Sequence, residues 1–434
     1  MSAAERWTVA DVRAGRIGVA ALVEALLERA RAEDLGAWLL LDPEGARAQA
    51  RAADAARGAG DDRPLLGVPL AVKDVVDVGG LPTTGGLARP LRVPAADADA
   101  AAVAGLRAAG AVVLGKTHTN VLALGFEGRY PQHPPCRHPL DPDRLPGGSS
   151  SGPAVAVASG QAVLGLGTDT SGSLRVPGGL CGVVALRPTP GRVSRDGVLP
   201  LAPTYDTTGP IAATVADAAA MLAVLSPPPS SPAPPPRAVG LVEALLEPGV
   251  AHPAVAAVVR DAADALGLPV QAAEVPGLED ALAVHRDVQL PEAAVSVRAL
   301  GVEEDELSDP VRARVGAGAA MPAEQHARGH RRRHELGRAL TAALERHGAL
   351  AAPSVPVVAP LRDADVADLG DGRVRDERDA LLSCAVPFTQ GPFPALSVPA
   401  GEVDGLPVGL QLVGPPGSDE ALLALAARLE GARG

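Results

Sequence analysis

Apolar and polar positions in the first third of the chain follow first a helical and then a strand period. Residues 17 to 31 and 43 to 58 alternate apolar and charged positions at helical spacing and are rich in alanine, which predicts two surface helices packed by one face. Two short apolar runs, "PLLGVPLAV" and "AVVLGK", then flank an alanine-rich helical stretch from Asp97 to Ala109. This order of strand, helix and strand predicts an α/β sheet covered on both faces.

The same pattern continues in the second half of the chain. Helices are predicted from Pro253 to Leu266 and over most of the chain up to about His347. The predicted strands are "AVGLV", "VQAAEV", "GALAAPSVP" and "LPVGLQLVG".

Between the halves lies the segment "SPPPSSPAPPP", Ser226 to Pro236. Its proline content excludes a regular helix or a central strand and predicts a stiff, exposed connector. The chain thus divides into an N-terminal half, 1–226, a connector, 227–236, and a C-terminal half, 237–434. The pattern alone does not say whether the halves form two sheets or share one.

Charge and composition limit the classes of function. A net charge of −12 argues against non-specific binding of nucleic acid, which requires a concentrated positive field. The run Arg331 to Arg333 is typical of a solvated helix face. The N-terminus has no apolar segment of signal-peptide length, and no apolar run has membrane-spanning length. We therefore expect a soluble, cytoplasmic protein without a membrane partner.

Cysteine and histidine give little sign of a metal site or a disulfide framework. The three cysteines are widely separated and odd in number. His330 and His334 have the i,i+4 spacing of a shared metal on a helix, but no third ligand accompanies them. We expect no cofactor and no metal.

Lysine is rare, which draws attention to Lys73. Only Lys73 and Lys116 are lysine among the 39 basic residues. Burial can deprotonate a lysine amine, whereas a guanidinium stays charged. Lys73 lies in the apolar stretch "GVPLAVKDVVDV", typical of the end of a buried strand, so it is expected to be paired or chemically useful. For Lys116 we expect a structural role at a strand end.

Two segments concentrate glycine and serine: "PGGSSSGPAVAVASG", from Pro146, and "GLGTDTSGSLRVPGG", from Gly165. A phosphate-binding loop would need a lysine after its glycines, which neither has. The run from Gly148 to Gly152 matches the GxSxG pattern of an α/β-hydrolase elbow, with Ser150 at its centre. The preceding residues are too rich in proline for the strand that an elbow requires.

A third interpretation joins these segments to Lys73. A serine nucleophile must lose its proton, and a neutral lysine can accept it directly or through a second hydroxyl. In this interpretation "GGSSSG" supplies the relay and "TSGS" supplies the nucleophile together with backbone N–H donors. Ordinary glycine–serine turns are the alternative, and two such segments with an isolated lysine weaken it.

Longer stretches around these residues resemble the amidase signature family. The similar segments are "GVPLAVKDVVD", "PGGSSSG", "GTDTSGSLRVPGGLCGVVALRPTPGRVS", "VVLGKTHTNVLALG", "GVLPLAPTYDTTGPIAATVADAAAML" and "PALSVPAGEVDGLPVGLQLVG". The resemblance covers roughly residues 15 to 430. It implies one domain over 1–434, an α/β fold with a large twisted mixed sheet flanked by helices on both faces, to which both halves contribute.

The resemblance also implies a Ser-cisSer-Lys triad that hydrolyses amide bonds. Ser173 would be the nucleophile, Ser149 the relay serine with a cis peptide bond, and Lys73 the base. The resemblance assigns the oxyanion hole to four backbone N–H groups, those of Thr170, Ser171, Gly172 and Ser173.

The activity that this resemblance implies is release of ammonia or an amine from a small carboxamide by a free-standing enzyme. The alternative is the catalytic A subunit of a glutamyl-tRNA amidotransferase, which would need partner subunits to handle the charged tRNA. A catalytically silent binding or assembly protein is a third hypothesis, and the intact Lys73, Ser149 and Ser173 argue against it. Homodimers are common in the family, so self-association is also expected.

Three departures from the family pattern concern substrate choice. Ser171 stands where the family most often has glycine, and Pro153 stands where a small residue is common. The segment 388–398 lacks the usual asparagine near the acyl pocket. None of these changes touches the three triad residues.

Overall fold

The computed structural model describes residues 6–91, 97–126, 133–227, 233–370 and 372–431. Within these residues the helices longer than four residues are α1 Val9–Arg13, α2 Val19–Ala32, α3 Pro43–Gly58, α4 Ala101–Ala108, α5 Ser151–Ala158, α6 Arg175–Cys181, α7 Val215–Leu225, α8 Pro253–Asp264, α9 Ala281–Ala299, α10 Asp309–Ala319, α11 Ala323–His347, α12 Glu377–Ser383 and α13 Asp419–Gly431. Short 3₁₀ turns cover Val121–Ala123, Glu243–Leu245, Leu278–Asp280, Glu304–Glu306 and Val386–Thr389.

The strands of the described residues are β1 Trp38–Leu41, β2 Pro69–Lys73, β3 Val112–Thr117, β4 Leu164–Asp169, β5 Val184–Arg187, β6 Thr207–Ala212, β7 Ala238–Leu241, β8 Val270–Ala272, β9 Gly348–Pro353, β10 Val366–Asp368, β11 Val374–Asp376, β12 Ala395–Val403 and β13 Leu406–Val413. Strands β10 and β11 pair only with each other.

The other strands form one mixed sheet in the order β1-β3-β2-β4-β6-β5-β12-β13-β9-β7-β8. Strand β2 runs parallel to both β3 and β4, whereas β4 and β6 are antiparallel. Strands from both sides of the proline-rich connector lie in this sheet. The predicted α/β fold with a large mixed sheet and helices is therefore confirmed.

The middle of the sheet is buried on both faces, as its sequence predicts. Every residue of β2, β4 and β13 is buried, and so is every residue of α5 and α6. Strands covered on both faces read as continuous apolar runs, which is the pattern seen at "PLAV" and "LPVGLQLV". The glycine- and serine-rich segments are thus core elements as well as sources of polar groups.

Most predicted elements are present, and some of them have shifted ends. The predicted helix 43–58 has these same bounds, because Pro43 occupies its first turn and Asp42 Oδ1 accepts from Gly45 N at 3.0 Å. The helix predicted from Asp97 begins only at Ala101. The Asp99 carboxylate there accepts from Gly79 N at 2.8 Å, so this segment is fixed by a tertiary contact instead.

The connector is described in part, since residues 228–232 lie outside the described residues. Among the helices of the described residues, none combines the length and the apolar composition that crossing a membrane requires. Cys136, Cys181 and Cys384 are buried free thiols.

Candidate active site

Lys73 is the last residue of β2, in the interior of the sheet, and its side chain is fully buried. Its Nζ donates to Ser149 Oγ at 2.8 Å and to Thr168 Oγ1 at 2.8 Å. Strands β2 and β4 are parallel neighbours, so Lys73 at the end of one strand reaches Thr168 near the end of the other. The structure therefore joins two of the three predicted catalytic residues directly.

Burial makes this lysine a usable base. Removal of the amine from water lowers the pKa of Lys73 from 10.5 to about 7, against the opposing charges of Asp169 and Asp206. A lysine with this pKa is neutral in a large share of molecules near pH 7. It can therefore accept a proton at that pH, as an ordinary exposed lysine cannot.

Ser149 follows a cis peptide bond, Gly148–Ser149, as the family resemblance implies. Gly148 is tightly enclosed, since a Cβ at this position would lie 2.4 Å from Asn120 Oδ1. A Cβ there would also lie 3.1 Å from Phe126 Cα, so a larger residue before Ser149 would require these neighbours to move.

Ser173 lies in the loop between β4 and α6, and Ser150 links it to the other polar residues. Ser150 N donates to Ser173 O at 3.2 Å. Ser150 Oγ donates to Thr168 O at 3.0 Å, and Thr168 N donates back to Ser150 Oγ at 3.2 Å. The backbone carbonyl of Ser173 is therefore linked through Ser150 and Thr168 to Lys73, which contacts Ser149 directly.

This arrangement weakens the elbow interpretation. Ser150, the central serine of the GxSxG match, directs its hydroxyl to a backbone carbonyl and not to a histidine. The histidine near this segment, His118, contacts Ser151 Oγ at 2.9 Å instead. Burial lowers the pKa of His118 to about 3, which makes it a poor proton acceptor.

The loop from Thr170 to Ser173 is anchored at several points. Thr170 Oγ1 donates to Asp206 Oδ1 at 2.6 Å, and Ser171 Oγ lies 2.7 Å from His285 Nε2. Gly172 N donates to Asp169 Oδ1 at 2.8 Å. The N–H group of Gly172, predicted as an oxyanion donor, is thus already engaged, while no acceptor in the described residues engages those of Thr170, Ser171 and Ser173.

Asp169 is the buried anion that organises this loop. Its carboxylate accepts from Arg175 Nε and Nη2, both at 3.0 Å, and from Leu174 N at 3.2 Å, while Arg187 Nη1 lies 3.3 Å away. Burial by itself would raise the pKa of Asp169, but the charges of Arg175 and Arg187 outweigh it and hold the pKa well below its usual range. Asp169 therefore stays ionised and fixes the loop next to Ser173, the predicted nucleophile.

The second lysine has the structural role expected of it. Lys116 lies at the end of β3, with its Nζ 2.8 Å from Asp74 Oδ1 and 2.9 Å from Thr83 Oγ1. The side chains of Lys116 and Asp74 are both buried, and their opposite charges form an ion pair. Lys116 is thus paired, whereas Lys73 contacts hydroxyl groups.

The other candidates from the sequence contribute little to this site. His330 does not share a site with His334; its Nε2 lies 3.3 Å from His326 Nε2. Within the described parts of the chain, no group of three or more potential ligands could hold a metal ion. Pro153 lies in the first turn of α5, where a missing backbone N–H costs little.

Four residues near the loop were not predicted from the sequence as site residues: Thr168, Asp169, Asp206 and His285. Thr168 and Asp169 precede the loop inside "GTDTSGS" and could have been singled out as polar residues ending a buried strand. His285 is 114 residues away from Ser171 in the chain, and no local pattern connects the two.

Comparisons with known proteins agree with this geometry. The family model described as Amidase matches residues 21–423. The A subunit of the glutamyl-tRNA(Gln) amidotransferase of Roseiflexus castenholzii is 35% identical, over 96% of this chain and 94% of that protein. A solved amidase structure is 36% identical, with a TM-score of 0.91 over 98% of this chain and 99% of the other.

A second solved structure extends the comparison to another type of amidase. The peptide amidase from Stenotrophomonas maltophilia is 28% identical, with a TM-score of 0.81 over 97% of this chain and 95% of that one. The family model and these relatives all span nearly the whole chain. The chain therefore belongs to the amidase signature family and is an amidase that acts on carbon–nitrogen bonds.

Proposed function

We propose that the chain hydrolyses a small carboxamide to a carboxylate and ammonia or an amine through an acyl-enzyme on Ser173. The observation that carries this proposal is the contact of fully buried Lys73 Nζ with Ser149 Oγ at 2.8 Å. A buried amine with a lowered pKa against a serine hydroxyl is the arrangement that general-base activation of a serine requires.

The proton moves along one path in both directions. Lys73 Nζ takes the proton of Ser149 as Ser149 takes that of Ser173, whose oxygen forms a bond to the amide carbon. The proton then returns through Ser149 to the nitrogen, and the carbon–nitrogen bond breaks. Water adds to the acyl-enzyme by the same relay, and the bond to Ser173 Oγ breaks to release the carboxylate.

The negative oxygen of the tetrahedral intermediate needs donors that are already aimed at it. The N–H groups of Thr170, Ser171 and Ser173 are the candidates that remain once Gly172 N is engaged by Asp169. Loss of one such donor in other enzymes costs about 3 kcal/mol of transition-state stabilisation. The anchoring of the loop by Asp169 and Asp206 supports this role, because a fixed loop needs no rearrangement during the reaction.

A fluorophosphonate tests the nucleophile without a known substrate. The purified chain is treated with the reagent and the adduct is located by peptide mass spectrometry, with Ser173→Ala, Ser150→Ala and Lys73→Met in parallel. We expect an adduct on Ser173 in the wild type and in Ser150→Ala, and slow or no labelling in Lys73→Met. An adduct on Ser150 would instead support the elbow interpretation.

The relatives that match over nearly their full length favour the A-subunit hypothesis over the free-standing enzyme. Several are A subunits of glutamyl-tRNA(Gln) amidotransferases, which supports a role as such a subunit more strongly than a role as a free-standing enzyme. As an A subunit, the chain would need partner subunits to handle the charged tRNA.

The free-standing enzyme is retained because solved relatives include a protein described simply as an amidase and a peptide amidase. Ammonia release by the isolated chain from glutamine, benzamide, aliphatic amides and a peptide amide separates the two settings. Turnover of simple amides by the chain alone supports the free-standing enzyme. Amide hydrolysis that requires added partner subunits supports the A subunit. Light scattering of the same sample measures the expected homodimer.

A further inference from the structure

The hydrogen bond between Ser171 and His285 has no counterpart in a loop that carries glycine at this position. Ser171 Oγ lies 2.7 Å from His285 Nε2, and both side chains are buried. Ser171 stands between Thr170 and Gly172, next to the proposed nucleophile. A role for this pair in the reaction rests on the proposed function.

His285 is itself held firmly in α9. Its ring lies against the ring of Tyr205, with centroids 4.5 Å apart. The guanidinium of Arg333 lies over the Tyr205 ring, 3.8 Å from its centroid. Arg333 in turn donates to Thr204 Oγ1 and Thr204 O, both at 2.9 Å. His285 is therefore positioned by a chain of contacts that leads to α11.

The surroundings of His285 keep its imidazole neutral. Burial, then the positive charges of Arg333, Arg378 and Arg187, hold the pKa of His285 well below its usual range, against a smaller opposing effect of Asp169. No residue in the described part of the chain hydrogen bonds to Nδ1. A buried acceptor tolerates this better than a buried donor, so we place the proton on Nε2, which donates to Ser171 Oγ.

The contact supplies the middle anchor of the loop. The Thr170 side chain is held by Asp206, and Gly172 N is held by Asp169. Between them the backbone passes Ser171 and then enters a left-handed conformation at Gly172, with φ of 126°. Without a contact at Ser171, the N–H groups on either side of the flexible glycine would be fixed only at the two ends.

We propose that His285 is a positioning residue for the amidase reaction. Through its hydrogen bond to Ser171 Oγ it fixes the backbone that presents the N–H groups of Ser171 and Ser173 to the oxyanion. The Ser171–His285 pair is not a second nucleophile and base, because nothing in the described residues orients the ring through Nδ1 as a base would require.

Four variants test this role: His285→Phe, His285→Gln, Ser171→Ala and the double variant Ser171→Ala/His285→Phe. Phenylalanine keeps a ring against Tyr205 and removes the hydrogen bond, whereas glutamine keeps a donor at a similar reach. The readouts are the rate at which a fluorophosphonate labels Ser173, and kcat and KM for the best amide of the substrate panel. Thermal unfolding of each variant is measured in parallel.

The expected result is a fall of about tenfold in the labelling rate and in kcat for His285→Phe, with little change in KM. Glutamine should restore most of the rate. Ser171→Ala should lose as much as His285→Phe, and the double variant no more than either, because all three remove the same contact. Ser171→Ala removes one hydroxyl group only, so it answers the question even if His285→Phe folds poorly.

Three outcomes would overturn the proposal. These are wild-type rates in both Ser171→Ala and His285→Phe, independent and additive losses in the two single variants, and an adduct found on Ser171. Failure of the underlying amidase proposal is recognised separately, since the wild type would then show no adduct on Ser173.

Discussion

Lys73 Nζ donates to Ser149 Oγ at 2.8 Å in an interior from which water is excluded. Hydroxyl groups are its partners at this distance, and the carboxylates of Asp169 and Asp206 act on it only through their charge. The amine is therefore desolvated without being neutralised by a close anion, which is the condition that lowers a lysine pKa. Several consequences of this arrangement can be measured.

Replacement of Lys73 by arginine is expected to abolish turnover and leave the fold largely intact. Arginine keeps a positive charge but stays protonated in a protein, so it cannot accept the proton of Ser149. Ammonia release and Ser173 labelling measure the effect, and circular dichroism measures the fold. Lys73→Met, of similar length and uncharged, is the matched control and should also be inactive. Activity near that of the wild type in either variant would exclude Lys73 as the base.

Much of this site could be predicted from the sequence because its residues lie in short, unusual segments. The isolated lysine and the two glycine–serine stretches stand out in a chain that otherwise uses arginine for positive charge. Their assembly follows from the sheet, since β2 and β4 are parallel neighbours and bring Lys73 to Thr168. The α/β alternation similarly predicted the sheet that holds them.

The remaining contacts could not be predicted because they join distant parts of the chain. Asp206 and His285 reach the loop across 36 and 114 residues, respectively. The hydrogen bond from Gly172 N to Asp169 could not be predicted either, since only the three-dimensional arrangement shows it. Local periodicity carries no information on such tertiary hydrogen bonds.

The rate of amide hydrolysis should depend on pH through Lys73. Its pKa is lowered to about 7, and only the neutral amine can act as the base. We therefore expect kcat/KM to fall about tenfold per pH unit below pH 7 and to level off above it. A profile of kcat/KM against pH between 5.5 and 9 in the wild type measures this fall. An activity that still climbs tenfold per unit between pH 8 and 9 would mean that the lysine has its ordinary pKa.

The same burial should make Lys73 costly for stability. The unfolded chain binds a proton at Lys73 up to about pH 10.5, whereas the folded chain releases it above about pH 7. At this site the unfolded state therefore binds more protons between these values, so the contribution of Lys73 to the free energy of unfolding rises with pH across this window.

Lys73→Met removes this titration and is expected to be more stable than the wild type at pH 7, by on the order of a few kcal/mol. The gain should shrink as the pH approaches 10. Urea unfolding of both proteins at pH 7 and pH 9.5 measures the difference. An equal or lower stability of the variant at pH 7 would contradict the lowered pKa of Lys73.

Asp169→Asn should destabilise the protein strongly. The substitution leaves the guanidinium groups of Arg175 and Arg187 buried without their shared anion, and removal of one partner from a buried ion pair costs about 3–5 kcal/mol. Chemical unfolding measures the loss. Glu24→Gln, which breaks the solvent-exposed pair with Arg47, is the control and should change little. Comparable effects of the two substitutions would mean that Asp169 does not organise the core of the site.

Thr168→Val tests whether the second contact of Lys73 matters for the reaction. The substitution keeps the shape of the side chain and removes the hydroxyl that lies 2.8 Å from Lys73 Nζ. A base that has lost one of its two hydrogen bonds spends less time aimed at Ser149, so we expect kcat and Ser173 labelling to fall about tenfold with KM little changed.

Thr208→Val is the matched control for this experiment. Thr208 faces Thr168 across the antiparallel pairing of β4 and β6, and its buried hydroxyl has no hydrogen-bond partner in the described residues. The same loss of one hydroxyl from the same part of the sheet should therefore leave the rate unchanged. If Thr168→Val also kept the wild-type rate, the contact with Ser149 alone would be enough to orient Lys73. If both variants were slow, packing of the sheet and not the hydrogen bond to Lys73 would account for the loss.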